Sequence, residues 1–408
     1  MLPLPEAQRQ VLGNLPTMPV ETIDLGQALG LVLARPAIAT HPVPPFTNSA
    51  MDGYAVRAED VAIVPIDLKV TEDVPAGSVA RGRVETGTAI KIMTGAPLPE
   101  GADSVVRVED TEQDGEVVTI RQSVPTGTSV RAAGGDVAAG STLVETGVRL
   151  NSAHVGVLAN NGFARLKVHR RPVVAVASTG DELVPVDDGD LGPGQIRDSN
   201  RPMLIALLHE LGVQVIDLGR IPDLEERLLT TLQEASERAD AIVTSGGVSM
   251  GEYDLVKSAL KKLGDVDFWQ VAMQPAKPFA FGSLSSIPFF GLPGNPVSSY
   301  VAFEQFVRPA LLHMMTARRI LRPRIAGRTE TALETDPEKT VFVRVVTRLE
   351  DEVRWCRPSG GQSSNVLSAV AGGDAFAVVE RGIGRVESGE AVALEMYHWP
   401  EERTIDEL

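Results

Sequence analysis

The chain contains a single cysteine, Cys356, among its 408 residues. One cysteine cannot form a disulfide within the chain, and it leaves no set of thiolates for a structural zinc site. The six histidines add no pair at zinc-binding spacing. This composition is typical of a reducing compartment, so we expect a cytoplasmic protein.

Long apolar runs are also lacking. The most apolar region, residues 278–312, is interrupted between 288 and 296 by three prolines, two glycines and an asparagine. A membrane helix needs about 20 consecutive apolar residues, so the sequence predicts none. The first ten residues, MLPLPEAQRQ, lack the basic and apolar segments of a secretory signal.

Positive charge is in deficit, with 38 Lys and Arg against 54 Asp and Glu, which gives a net charge of −16 at pH 7. Such a chain is repelled by phosphate backbones and by anionic lipid, so we expect no nucleic-acid partner and no membrane partner. An anionic small substrate would need basic groups concentrated in one pocket.

What the chain does have is length and a hydrophobic fraction of 43%, enough for roughly three domains with cores of their own. Residues 1–35 have a helical pattern with short breaks. Residues 36–140 hold short Val- and Ile-rich runs separated by glycine turns, which predicts a β-rich unit. NSAHVGVLANNG (151–162) predicts a helix capped by Asn151 or Ser152.

From residue 171 to 318 the pattern alternates between buried strands and helices. It predicts a doubly wound, mostly parallel α/β sheet, which binds ligands beyond the carboxyl ends of its strands. Residues 319–408 return to a strand pattern and predict a C-terminal β domain. Four residues of the predicted helix in DLEERLLTTLQEASERA form one apolar stripe: Leu224, Leu228, Leu232 and Ala235.

The segment TSGGVSMGEYD (244–254) follows a predicted strand of this sheet. Its Ser245, Gly246 and Gly247 are typical of a turn whose N–H groups cradle an anion, with Asp254 at the start of the next helix. The alternative is a plain turn that needs glycine for its backbone. Gly247 to Gly251 also fits G-x-S-x-G, but Ser249 lies too far beyond the strand for a hydrolase nucleophile.

Two further groups of carboxylates are expected at the same sheet edge. Asp181 and Glu182 follow the first strand, and Asp223 either joins them or only caps the helix starting at Leu224. Carboxylates beside an anion site are explained by a Mg²⁺ ion between them, since Mg²⁺ is held by one or two carboxylates and by substrate phosphates.

Basic and hydroxyl groups follow later in the same region. Lys277 in QPAKPFAFG supplies either a fixed charge for an oxyanion or a solvated lysine. GLPGNPVSSY (291–300) opens a helix at Pro296 and places Ser298 on its first turn. In the β-rich unit, 44–56 and 92–110 are polar and glycine-rich, and spacing alone does not connect them with residues 171–318.

Taken together, eight segments in order closely resemble the molybdopterin molybdenumtransferase family, the bacterial MoeA family related to the E domain of gephyrin. The resemblance runs from about residue 5 to the C-terminal β domain. The segments are PPFTNSAMDGYAV, IMTGAPLPEGAD, VRAAGGD, STGDEL, GQIRDSN, TSGGVSMGEYD, QPAKPFAFG and GLPGNPVSS.

The resemblance implies the last step of molybdenum-cofactor synthesis, in which molybdate enters the dithiolene of adenylylated molybdopterin and AMP is released with Mg²⁺ as cofactor. It implies an elongated homodimer in which the β-rich unit of one subunit faces the doubly wound domain of the other. A transient contact with the molybdopterin adenylyltransferase is also implied. The implied domains are 1–40 with 140–170 (elongated), 41–139 (β-rich insert), 171–318 (doubly wound) and 319–408 (β-barrel-like).

The resemblance also assigns site residues. The catalytic set is Asp52, Thr94, Glu182, Asp223, Asp254 and Lys277; the binding set is Ser245, Gly246, Gly247, Gln274, Ser298, Arg344 and Ser364; the Mg²⁺ ligands are Glu182 and Asp254. Two positions depart from the family pattern. Gln274 stands where many relatives have Lys, which removes one charge for molybdate, and Thr47 stands where many have Asp or Asn.

Three other functions remain open at this point. The chain could be a non-catalytic gephyrin-like scaffold, a pterin-binding protein, or an adenylyltransferase of the same pathway, whose family TSGGVSMGEYD also resembles. The long β-rich flanks argue against the adenylyltransferase.

Overall fold

The computed structural model describes residues 1–246 and 262–400. The N-terminal part forms a short helix and edge strands: α1 (Leu4–Leu12), β1 (Val20–Asp24), β2 (Val32–Leu33) and β3 (Ala37–Ile38). The helical pattern predicted for residues 1–35 is wrong beyond α1. Gly13 ends the helix, and Pro16 and Pro19 follow without the backbone N–H that an α-helix needs.

A β-rich insert follows. Six of its strands form one sheet in the order β8-β5-β7-β6-β10-β9, and apolar residues on both faces form two separate small cores. Its strands are β4 (Asn48–Ser49), β5 (Gly53–Val56), β6 (Ile66–Val74), β7 (Thr88–Ile92), β8 (Ser104–Arg107), β9 (Thr111–Asp114), β10 (Val117–Ile120) and β11 (Val130–Arg131).

The chain then returns to the N-terminal sheet through β12 (Thr142–Val144), α2 (Ser152–Asn160) and β13 (Arg165–His169). β13 lies between β1 and β2, so this sheet is built from residues on both sides of the insert. The predicted cap of α2 is confirmed. The Asn151 side chain accepts from the His154 N–H, and the His154 ring bonds the Asn151 N–H.

The third region is a six-stranded sheet in the order β17-β14-β18-β22-β21-β19. The first four strands are parallel and the last two pairings are antiparallel, which confirms the mostly parallel sheet. Its elements are β14 (Val173–Thr179), β15 (Leu183–Val184), β16 (Ile196–Arg197), α3 (Asn200–Leu211), β17 (Gln214–Ile221), α4 (Glu225–Ser236), β18 (Ala241–Ser245), β19 (Gly264–Gln270), β20 (Met273–Gln274), β21 (Pro278–Leu284), β22 (Ile287–Leu292), α5 (Pro296–Ala302), a π-helical turn (Phe303–Val307) and α6 (Arg308–Met314).

Helices cover both faces of this sheet. α3 packs on one face through Leu204 and Leu208, and α4 packs on the other through Leu228 and Leu232. Leu224 is 59% exposed because it is the N-cap residue, one position before α4 begins. Its predicted place on the buried stripe is therefore wrong, and so is the cap role considered for Asp223. None of the helices in the described residues is long and apolar enough to cross a membrane.

The C-terminal region is a closed five-stranded barrel in the order β25-β26-β23-β29-β27, with β27 pairing back onto β25. This confirms the barrel-like expectation. β20 adds to β25 in parallel, so the barrel is joined to the doubly wound region. The elements are β23 (Arg324–Thr329), β24 (Leu333–Glu334), β25 (Thr340–Glu350), β26 (Val353–Pro358), α7 (Ser368–Ala371), β27 (Ala375–Val379), β28 (Arg385–Val386) and β29 (Ala391–Met396).

Candidate functional site

The loops after β14, β18 and β22 meet at the carboxyl edge of the sheet, where the strand order reverses between β14 and β18. Gly246 has a φ of +93°, and a Cβ there would lie 2.6 Å from the Thr179 carbonyl oxygen. Its N–H donates to the Leu292 carbonyl at 3.0 Å. Glycine is thus required at 246 because three loops close on one another there, and this edge is the usual ligand position in such sheets.

The Ser245 side chain lies below this junction. Its Oγ accepts a hydrogen bond from Asn200 Nδ2 at 2.7 Å, and the same Nδ2 donates to the Gly294 carbonyl at 2.6 Å. Ser299 Oγ donates to the Pro293 carbonyl at 2.9 Å and lies 3.4 Å from Ser245 Oγ. Buried polar contacts therefore join β18 to the start of α5.

Asp198 makes a second buried contact at the start of α3. Only 2% of it is exposed. It accepts from Ser178 Oγ at 2.6 Å, from the Arg201 N–H at 3.2 Å and from Arg201 Nε at 3.0 Å. Because Ser178 lies near the end of β14, this carboxylate fixes α3 against that strand.

The predicted carboxylates lie together on the exposed rim of the same edge. The Asp223 N–H donates to Asp181 Oδ1 at 3.3 Å, and the Glu182 carboxylate folds over Gly180, where a Cβ would meet its Oε2 at 2.5 Å. Partial burial raises the pKa of Asp223, and the charges of Asp181 and Glu182 raise it further. The rim thus carries three carboxylates, with Arg220 as the neighbouring cation.

A cation at this rim would relieve the repulsion that raises the Asp223 pKa, so the donor set suits a hard metal ion. Within residues 1–246 and 262–400, no three side chains are placed to bind a metal by themselves. Gly247 and Asp254, assigned to the anion turn and to the Mg²⁺ site, lie outside the described residues. Glu182 is therefore the metal-ligand candidate that the structure describes.

Gln274 and Lys277 flank a tight turn between β20 and β21. Ala276 in this turn has a φ of +73°, and the Lys277 carbonyl accepts from the Val271 N–H at 2.8 Å. Both Gln274 and Lys277 are exposed. Because β20 pairs with β25, the turn lies beside the barrel.

Arg344 on β25 is only 2% exposed. Its guanidinium donates to three backbone carbonyls at 3.2–3.5 Å, those of Phe342, Gly361 and Ser363. Its Nε has no acceptor, and no carboxylate in the described part of the chain pairs with it. Burial lowers the pKa of Arg344, since charge is costly away from water.

Arg344 lines a pocket of about 250 Å³ together with Gln274 and Gln362. Glu334 also lines this pocket, but its carboxylate pairs with Arg385. Gln362 Oε1 accepts from the Arg344 N–H at 2.9 Å. The residues at the pocket wall thus include an arginine, a paired carboxylate and two amides.

Ser298 and Ser364 lie where the barrel meets α5. The Val297 N–H donates to the Ser364 carbonyl at 3.1 Å, and Ser298 is 5% exposed. The neighbouring Ser363 carbonyl contacts Arg344. One loop of the barrel, residues 361–364, therefore brings these two serines near the Arg344 pocket.

Asp52 and Thr94 form a separate pair in the insert. Asp52 Oδ1 accepts from the Thr94 N–H at 2.7 Å and from Thr94 Oγ1 at 2.8 Å. These two bonds lower the pKa of Asp52, the backbone bond more. Among the described residues, neither side chain has a hydrogen bond or ion pair with residues 171–318.

Asn200, Asp198 and Gln362 are the polar residues that sequence reasoning did not place at the site. GQIRDSN and GGQSSN each carry polar residues between predicted apolar elements, which is the one signal that pointed to them. Asn200 is the first residue of α3, directly after the N-cap residue Ser199.

Three family descriptions match the chain. Residues 2–162 match the MoeA N-terminal region (domain I and II), residues 175–313 match the probable molybdopterin binding domain, and residues 326–397 match the MoeA C-terminal region (domain IV). The matched regions follow the order of the sheets described above.

Curated relatives agree. The molybdopterin molybdenumtransferase of Haemophilus influenzae is 37% identical over 404 residues, covering 98% of this chain and 99% of the relative. Molybdopterin molybdenumtransferase 2 of Mycobacterium tuberculosis is 41% identical over 335 residues, covering 80% and 82%. A molybdopterin biosynthesis MoeA structure from Pyrococcus horikoshii superposes with a TM-score of 0.83 at 27% identity, covering 97% and 100%. The chain therefore belongs to the MoeA family of molybdopterin molybdenumtransferases, transferases of molybdenum-cofactor biosynthesis.

Proposed function

We propose that the chain inserts molybdate into the dithiolene of adenylylated molybdopterin and releases AMP, with Mg²⁺ as cofactor. The observation that supports this most directly is the buried guanidinium of Arg344, a residue of the pocket wall, which pairs with no carboxylate in the described residues. The family membership supports a pterin as one substrate, and the unpaired buried guanidinium supports an oxyanion as the other.

The energetic argument rests on burial. An arginine stays charged near neutral pH, and a buried charge without a counter-ion costs several kcal/mol. An oxyanion in the pocket would offset that cost, because a planar guanidinium donates to two oxygens at once. Lys277, Ser298 and Ser364 would add donors to the same oxyanion, whereas Gln274, which lines the pocket, supplies an amide in place of a second charge.

The pterin nucleotide would lie along the carboxyl edge of the sheet. The turn that begins at Ser245 and Gly246 would hold its pyrophosphate. Because the Gly246 N–H already donates to the Leu292 carbonyl, the donors would be the backbone N–H groups that follow it, from Gly247 onward. Glu182 and Asp254 would hold Mg²⁺, which when bound supplies charge that stabilises the leaving phosphate. Asp223 would complete the negative rim beside Glu182.

The chemistry balances without a redox partner. Two Mo–S bonds form, and the two thiol protons leave with one molybdate oxygen as water. Hydrolysis of the pyrophosphate bond releases AMP. The groups of this chain would bind both reactants and hold them in contact, which lowers the barrier by removing the entropy cost of bringing them together.

The proposal includes a homodimer. Asp52 and Thr94 form a fixed pair that, among the described residues, has no hydrogen bond or ion pair with the doubly wound region of its own chain. In a dimer they would reach the cleft of the partner subunit, which gives these two residues a place in catalysis. A transient contact with the molybdopterin adenylyltransferase would deliver the substrate.

The test is AMP release by the purified protein from adenylylated molybdopterin with Mg²⁺, with and without molybdate. We expect molybdate-dependent release in the wild type, and a loss of about 100-fold or more in Arg344→Ala. Arg348→Ala is the matched control, because Arg348 lies on the same strand, is half exposed and pairs with Glu330.

ATP consumption without AMP release would identify an adenylyltransferase instead. Tight pterin binding without turnover would identify a binding or scaffold protein. Equal turnover in Arg344→Ala and Arg348→Ala would remove the Arg344 pocket from the reaction.

A further inference from the structure

The side chain of Asn200 contacts two of the loops that form the site. We propose that Asn200 is a positioning residue of the transferase, which sets the distance between the Gly246 turn and the Gly294 turn. The inference rests on the proposed function for its kinetic consequence, but its structural part can be measured without any turnover.

The hydrogen bonds explain why this residue is an asparagine. Asn200 is 8% exposed, and its Nδ2 donates to Ser245 Oγ at 2.7 Å and to the Gly294 carbonyl at 2.6 Å. Its Oδ1 is buried and accepts no bond, which costs free energy because a buried acceptor has lost its water. An amide is thus placed here for its two N–H donors, which a carboxylate of equal size lacks.

The bond to Gly294 also orients the next peptide group. The Gly294–Asn295 peptide is trans, so its N–H points opposite to its carbonyl. With the carbonyl held by Asn200, the Asn295 N–H is directed away from α3. Among the described residues, this N–H has no acceptor.

The two turns are close enough for a shift in one to reach the other. A Cβ on Gly294 would lie 4.0 Å from the Gly246 Cα. On its other side Asn200 is held by α3, whose Leu204 and Leu208 are fully buried, and by Asp198, which fixes the helix start to Ser178. The amide therefore transmits the position of a rigid helix to both turns.

The experiment compares Asn200→Ala and Asn200→Asp with Asn161→Ala. Asn161 is a matched control because it is 2% exposed and also bridges two backbone groups, those of Thr40 and His41, in the N-terminal sheet region. All three variants lose buried amide hydrogen bonds, but only the two Asn200 variants lose bonds to the Gly246 and Gly294 turns.

We expect both Asn200 variants to lower kcat for AMP release by about 10- to 100-fold with little change in KM for the pterin nucleotide. Asn161→Ala should lower the melting temperature and leave kcat at the wild-type level. Hydrogen–deuterium exchange should become faster in peptides covering 241–246 and 288–296 for the Asn200 variants only.

The outcomes separate the two proposals. A wild type that releases no AMP overturns the proposed reaction, while the exchange data still report on Asn200. Unchanged exchange at both turns, or kinetics equal to those of Asn161→Ala, would overturn the positioning role. If Asn200→Ala does not fold, the nearly isosteric Asn200→Asp decides.

Discussion

The acidic rim and the Arg344 pocket differ in how far their charged groups are exposed to water. Asp181 and Glu182 lie on an exposed loop, where water screens their repulsion. Arg344 lies on a barrel strand, 2% exposed, and shares its charge only with backbone carbonyls. The difference teaches that removing one exposed rim carboxylate should change ion binding only in part. Removing the single buried guanidinium should abolish the binding that depends on it.

The elements explain this contrast. The rim residues follow β14 and β17, on loops that can move with small cost. Arg344 belongs to β25, which pairs with β20, β26 and β27 and cannot shift without opening the barrel. An anion that binds at Arg344 would therefore contact a guanidinium that is already in place. A cation that binds at the rim would require the loop side chains to move toward it.

Arg344→Lys is expected to have the largest effect. Lysine keeps the charge but lacks the planar fork, so it cannot donate to two oxygens with the same geometry. We expect kcat/KM for molybdate-dependent AMP release to fall by about 100-fold. Arg348→Lys on the same strand should leave it unchanged. Wild-type kinetics in Arg344→Lys would mean that charge alone, and not the fork, binds the oxyanion.

Glu182→Gln tests the rim and should have the second largest effect. Loss of one carboxylate should raise the Mg²⁺ concentration for half-maximal AMP release by about tenfold. Glu226→Gln, at an exposed position on α4, is the control for a change of net charge. An unchanged Mg²⁺ requirement in Glu182→Gln would exclude Glu182 as a metal ligand.

Gln274→Lys adds a charge at the edge of the Arg344 pocket. Because position 274 is exposed, the added attraction is screened, and we expect the molybdate concentration for half-maximal turnover to fall by only about 2- to 5-fold. Ser283→Lys adds the same charge at the far end of β21 and should do nothing. A higher molybdate requirement in Gln274→Lys would place the oxyanion away from this residue.

Asp223→Asn should give the smallest effect, on stability. The folded-state pKa of Asp223 is raised by partial burial and then by Asp181 and Glu182, so the folded protein binds this proton more tightly than the unfolded chain. Its ionisation therefore costs stability as pH rises from the ordinary aspartate pKa, about 3.9, through the raised value.

The variant should raise the free energy of unfolding at pH 7 by about 0.5 kcal/mol or less, and the gain should shrink toward pH 4. Urea unfolding at several pH values measures this, with Asp187→Asn as an exposed control. A variant that is less stable than the wild type at pH 7 would contradict the sign.

Much of the fold could be predicted because its signals are local. The α2 cap at Asn151, the α/β alternation and the barrel strands all follow from short patterns that the structure confirms. The errors are local as well. Prolines ended the helix predicted over residues 1–35, and the start of α4 moved one residue past Leu224, where the chain still runs extended.

By itself, the sequence determined the family and the strand and helix types. Each of these depends on residues close together in the chain. Only the tertiary structure decided that Arg344 is buried without a carboxylate, that β20 joins β25, and that Asn200 reaches both Ser245 and Gly294. The physical reason is that burial, strand pairing and side-chain contacts between distant segments exist only once the chain has packed.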